Sequence, residues 1–139
     1  MSLLKNRRGM TLIEIMIVLA IIGSIAALLI PNLTSSLDKS KVKEAKIQLT
    51  QVVNALQMYY TDCGKYPQSL EGLTAADSNC TNWGPQPYLE KKKLKDPFGN
   101  EFVYELNGSE YSLKSLGKDG REGGSAFNAD ITLDDAESK

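Results

Sequence analysis

Between Leu116 and Asp130 the chain places the oxygen donors Asp119, Glu122, Ser125, Asn128 and Asp130 among Gly117, Gly120, Gly123 and Gly124. Calcium takes about six to eight oxygens and mixes carboxylates with backbone carbonyls, which a glycine-rich loop lets turn inward. The spacing is not that of an EF-hand, and on the residues alone an ordinary solvated acidic loop is the favoured reading. A second site of chemical interest is Glu14, the one carboxylate in an apolar run from Met10 to Pro31. In lipid a carboxylate costs about 2.5–3.5 kcal/mol on insertion scales and calls for a partner. The run itself holds no cation, but cleavage after Gly9 would create one, the α-amino group of Met10.

Other chemistries are poorly supplied. Histidine is absent, which removes the commonest general base and the commonest transition-metal ligand. The chain has no Gly-x-Ser-x-Gly, no phosphate-cradling glycine loop and no cysteine–histidine pair for a nucleophile or zinc. An enzyme is not expected. Cys63 and Cys80 lie in the part that the topology below places outside the cytoplasm, where disulfides persist, so a structural disulfide is favoured over two buried thiols.

The elements that position these groups follow from periodicity and punctuation. A helix from Met10 to Pro31 spans roughly 30 Å, enough to cross a bilayer. Lys5, Arg7 and Arg8 precede it and hold that end in the cytoplasm by the positive-inside rule. An uncleaved signal anchor has the same outline, whereas a secretory signal would be cut after the apolar region at small residues, and Pro31-Asn32-Leu33 is a poor site. Beyond Pro31, apolar residues recur at Val42, Ala45, Leu49, Val52, Leu56 and Tyr60, with Lys43, Lys46, Gln48, Asn54 and Gln57 opposite, the pattern of an amphipathic helix. One long helix is therefore expected, interrupted by Gly23 and by Pro31, with a kink or local melting around residues 27–30. It should end near Asp62-Cys63-Gly64, since Gly64 suits a left-handed cap and Pro67 blocks continuation.

Residues 64–100 read as a loop anchored by Leu70, Leu73, Trp83, Tyr88 and Leu89. Phe102–Leu106 and Glu110–Leu113 flank Asn107-Gly108 and read as a hairpin on a tight turn. The fold class is α+β, a long N-terminal helix packed on a small antiparallel sheet. The division is residues 1–9 as leader, 10–31 as membrane helix and 32–139 as one globular domain that includes the amphipathic half of the helix. Without the leader the chain carries 13 basic and 17 acidic residues, a net charge of −4. The cluster Lys91-Lys92-Lys93 with Lys95 reads as a solvated loop, and no nucleic-acid partner is expected.

The stretch Gly9-Met10-Thr11-Leu12-Ile13-Glu14 resembles the signal of type IV pilins and type II secretion pseudopilins. Lys65-Tyr66-Pro67, Asp96-Pro97-Phe98-Gly99-Asn100 and Ser115-Leu116-Gly117-Lys118-Asp119-Gly120 narrow the resemblance to the major pseudopilins of type II secretion. It implies that a prepilin peptidase cuts after Gly9 and methylates Met10, which stands where the family usually has Phe. It further implies that Glu14 neutralises the amino terminus of a neighbouring subunit, and that the segment between Gly23 and Pro31 loses helicity in the filament. Calcium would be held by the carboxylates of Asp119 and Asp130 with the carbonyls of Leu116 and Ser125. Two departures are Ala129, where some members have a second acid, and Thr132-Leu133-Asp134-Asp135 in place of a Gly-Asn-Trp-like ending.

The implied function is the major subunit of a periplasmic pseudopilus that helps drive folded exoproteins across the outer membrane. Its implied partners are further copies of itself, minor pseudopilins, the inner-membrane secretion platform and membrane lipid. A type IV pilin for adhesion, motility or DNA uptake is the alternative within the class, and a non-polymerising membrane-anchored calcium module the alternative outside it.

Overall fold

Helix α1 runs from Leu12 to Cys63 in a computed structural model that describes residues 9–137. The basic leader residues Lys5, Arg7 and Arg8 lie outside the described residues. The chain divides at the Leu37–Asp38 boundary into two units, to both of which α1 contributes.

In the first unit α1 is long and apolar enough to cross a membrane, with a mean hydropathy of 2.8 over its best window. Its side chains are exposed, Leu12, Leu19, Leu28 and Leu33 each by more than half, as a surface designed for lipid or for other helices would be. The helix continues unbroken through Gly23 and Pro31, so of the kink or local melting expected around residues 27–30 the melting does not occur in the isolated chain. Pro31 removes one donor to the Ala27 carbonyl, a loss that the flanking turns of a long helix tolerate. A Cβ at Gly23 would meet nothing within 4 Å, so no packing within the chain requires glycine there.

In the second unit the buried face of α1 is Ala45, Leu49, Val52, Ala55, Leu56 and Tyr59. The aromatic that enters the core is Tyr59 and not Tyr60, which is 47 % exposed and stacks on Tyr66 with centroids 4.8 Å apart. From Leu56 the helix reaches the same face at either the third or fourth residue, and the Tyr59 hydroxyl finds an acceptor below the helix, donating to Asp77 Oδ2 at 2.7 Å. The helix stops as expected: Gly64 takes φ +72° and its N–H closes on the Tyr60 carbonyl at 2.8 Å, a left-handed cap.

The sheet is antiparallel and ordered β1-β2-β3, with β1 Val103–Asn107, β2 Glu110–Ser115 and β3 Ile131–Thr132. Asn107 pairs with Glu110, so the two-residue turn is Gly108-Ser109, one position later than the Asn107-Gly108 expected. Gly108 has φ +67° and Ser109 is not among the residues of positive φ, the type II′ pattern with glycine first. Asn107 thereby remains in the ladder. Phe102 and Leu113 face the core with Leu70, Leu73, Leu89 and Cys80 of the long loop, each large side chain contributing about 1.5–3 kcal/mol by burial. β3 and the short helix α2, Leu133–Glu137, were not foreseen. Asp135 Oδ2 accepts the Thr132 N–H at 3.0 Å, half of a capping box whose Thr-x-x-Asp spacing is present in the sequence.

The loop after α1 has two 3-10 turns, Leu70–Leu73 and Lys91–Leu94, and is held mainly by side chains. Cys63 and Cys80 form a disulfide with Cα atoms 5.2 Å apart, which for a loop of this length contributes about 3 kcal/mol. Trp83 Nε1 donates to the Gly72 carbonyl at 2.7 Å, and Tyr88 donates to Asp62 Oδ2 at 2.6 Å. Tyr104 donates to the Pro67 carbonyl at 2.7 Å, and burial pushes its hydroxyl up to about 12. The Asn79 N–H and then the Tyr59 hydroxyl hold the Asp77 carboxyl below the usual carboxylate range.

Candidate functional site

The N-terminal group is built on the first turn of α1. Thr11 precedes the helix, its N–H donates to Glu14 Oε2 at 2.8 Å, and its Oγ1 accepts from the Glu14 N–H at 3.3 Å. This is a reciprocal capping box, Thr-x-x-Glu, in which two orphan donors of the helix start are satisfied. The Thr-x-x-Glu spacing that announces it stands in the sequence, beside the role of Glu14 as an intramembrane charge. In the isolated chain the carboxylate is thus partnered within its own turn, while Gly9 and Met10 stay exposed at the head of the helix.

The C-terminal group is organised by a buried network that the sequence reading missed. Asp96 is 5 % exposed and Ser115 fully buried. One oxygen of Asp96 accepts the N–H groups of Phe98 at 3.0 Å and Asn100 at 2.9 Å, and the other accepts the Ser115 hydroxyl at 2.7 Å. Asn100 Nδ2 in turn donates to the Gly117 carbonyl at 3.1 Å. The Asp96–Asn100 turn therefore grips both sides of Leu116, where the glycine loop begins. Lys118 Nζ reaches back to Asp38 on α1 at 2.7 Å, and Lys41 lies 5.9 Å from the Phe98 ring centroid.

Beyond Leu116 the loop curls tightly. Gly117, Gly120, Gly123 and Gly124 all take positive φ. A Cβ at Gly117 would come within 2.6 Å of the Ala129 carbonyl oxygen, and one at Gly124 within 2.5 Å of that of Asn128, so glycine is required at both places. Asp119 Oδ1 accepts the Arg121 N–H at 3.1 Å, and Asp130 Oδ1 accepts the Gly123 N–H at 3.2 Å. Asp130 Oδ2 lies 3.6 Å from Lys114 Nζ, which also holds Glu122. Ser125 caps the 3-10 turn Ala126–Asn128, its carbonyl accepting the Asn128 N–H at 3.0 Å.

Among the described residues no three His, Cys, Asp or Glu side chains converge closely enough to hold a metal. A cation in this loop would have to draw on carbonyls as well as carboxylates. The donors fit a hard, oxygen-seeking ion: the chain has no histidine, both cysteines are oxidised, and carbonyl oxygens crowd against glycines where side chains would otherwise stand. Asp119, Asp130 and the carbonyls of Leu116 and Ser125 lie on this one loop.

Comparison with known proteins agrees with this architecture. Residues 32–134 match the family described as "Type II secretion system (T2SS), protein G", and residues 4–30 match the prokaryotic N-terminal methylation motif. The chain is 41 % identical over 135 residues to the type II secretion system core protein G of Pseudomonas aeruginosa, covering 91 % of this chain and 94 % of that one. To the protein of the same description from Vibrio cholerae it is 36 % identical over 137 residues, covering 94 % of each. It is also similar to the crystal structure of the major pseudopilin from the type 2 secretion system of enterohaemorrhagic Escherichia coli, with a TM-score of 0.57 and 26 % identity over 73 % of this chain and 92 % of that one. A long exposed apolar helix, a capped glutamate at its head and a family match across the globular unit lead to one statement: the chain belongs to the type II secretion system protein G family, the major pseudopilins.

Proposed function

We propose that the chain is drawn from the inner membrane, which it crosses once with its globular unit in the periplasm, into a helical homopolymer. The observation that carries this is the apolar face of α1, uncovered from Leu12 to Leu33, with the methylation-motif match over residues 4–30 at its head. Such a surface is stable in lipid and against other copies of the same helix, so transfer from one to the other conserves its burial. The prepilin peptidase exposes the Met10 amine, Glu14 leaves its own Thr11 to pair with the amine of a neighbour, and Gly23 and Pro31 give the helix a place to loosen. Minor pseudopilins and the inner-membrane platform are the further partners, and the growing pseudopilus helps move folded exoproteins through the outer membrane.

Processing supplies the test. Intact-mass measurement of membrane-derived protein should find a chain beginning at N-methylated Met10. Gly9→Val should leave the leader attached and give no filaments by electron microscopy. A wild-type chain that retains Lys5 to Gly9 and still polymerises would overturn the scheme.

Calcium belongs to the same proposal. The carboxylates of Asp119 and Asp130 and the carbonyls of Leu116 and Ser125 would hold it, with the Asp96 network fixing the loop's entry. When bound, the ion would neutralise the carboxylates and tie the two ends of the loop together. A ligand of the folded state stabilises it by about 2.7 kcal/mol at a hundredfold excess over Kd. The chain in detergent micelles should therefore melt higher in calcium than in chelator, and magnesium should substitute poorly because it demands a tighter octahedron. Asp119→Ala should erase most of the difference. Identical melting of the wild type in millimolar calcium and in chelator would remove the ion from the proposal.

A further inference from the structure

We infer that Lys114 is a built-in competitor for the calcium loop, its ammonium standing in for the ion until calcium displaces it. The inference rests on the calcium reading above and concerns how tightly the loop binds.

Lys114 is anchored firmly. It lies in β2, opposite Val103 on one side and Thr132 on the other, so the ladder fixes its backbone from both edges. From there its side chain, 27 % exposed, extends to the loop and contacts two carboxylates, Glu122 and Asp130. Those carboxylates differ. Asp130 is confined, its side chain 17 % exposed and its other oxygen tied to the Gly123 N–H. Glu122 is 79 % exposed and free to follow the lysine.

The other cationic groups of this region are engaged differently. Lys118 is turned away to Asp38, and Arg121 meets Asp119 through its backbone N–H. Lys114 alone among the ion pairs of the described residues occupies an oxygen of a proposed calcium ligand. An ammonium and a divalent ion on one carboxylate repel at a few ångströms, and in a partly buried site that repulsion is large. The two occupants therefore exclude each other. Calcium entry requires Lys114 to leave Asp130, and Glu122, exposed and already the closer of its two partners, retains it. The loop is thereby held together without metal, and its affinity is set below what its oxygens alone would reach.

Isothermal titration of calcium chloride into the full chain in detergent micelles tests this with Lys114→Met and, as a control of equal charge change within the loop, Arg121→Gln. Calcium-free melting first establishes that each variant is folded, with Lys114→Gln replacing the methionine variant if that one is not. Lys114→Met should bind about tenfold more tightly than wild type, while Arg121→Gln should stay within about twofold. Binding by Lys114→Met where the wild type shows none also supports the competitor role. Unchanged or weaker binding by Lys114→Met overturns it, as does equal tightening in both variants, which would mean a general field effect. If neither wild type nor Lys114→Met binds at millimolar calcium, the calcium reading itself fails and the competitor with it.

Discussion

Asp96→Ala is expected to cost the globular unit about 3 kcal/mol or more of stability. The carboxylate accepts two backbone N–H groups and the hydroxyl of Ser115. Ser115 is fully buried, so its hydroxyl has no water to turn to, and each stranded donor costs about 1–3 kcal/mol. A small domain has only about 5–15 kcal/mol to lose, and the change should lower Tm by roughly 12–24 °C. Asp96→Asn retains one acceptor in the same shape and should fall between the two. Thermal unfolding followed by circular dichroism decides it. A Tm for Asp96→Ala within a few degrees of wild type would show that the network contributes little.

The second large effect is on assembly. Glu14→Ala removes the charge from the membrane-spanning run, so insertion should be unchanged or improved, yet filaments should be lost together with the partner of the neighbouring amine. The capping box complicates a single substitution, since alanine also deletes the acceptor for the Thr11 N–H, worth about 1 kcal/mol to the helix start. Glu14→Gln separates the two roles, because glutamine serves in a capping box but carries no charge. Filaments absent in both variants identify the charge as the requirement. Filaments restored by glutamine would mean that the helix cap is what assembly needs, and the charge-pairing mechanism would fall.

The periodic parts of the molecule were legible in the residues alone. Helix α1, its stop at Gly64 and the hairpin all arise from local patterns, and the disulfide follows from compartment and from having only two cysteines. What escaped depends on contacts distant in sequence. Asp96 and Ser115 are 19 residues apart, and neither belongs to a pattern that marks a buried polar pair. The choice of Tyr59 over Tyr60 was set by an acceptor, Asp77, that no local rule places beneath the helix. The turn shifted from Asn107 to Gly108 because both residues suit a hairpin, and pairing across the strands decides which leads. The capping boxes at Thr11 and Thr132 are a different case: their Thr-x-x-Glu and Thr-x-x-Asp spacings are local and stand in the sequence.

The bond between Cys63 and Cys80 also gives the proposed life of the subunit a direction in time. Both thiols are made in a reducing compartment and, on the proposed topology, meet an oxidant only after the globular unit has left it. The end of α1 is clasped to the long loop at that moment and not before. On that topology the closed loop is a chemical record that export has occurred. A subunit carrying free thiols would be one that had not yet made that passage.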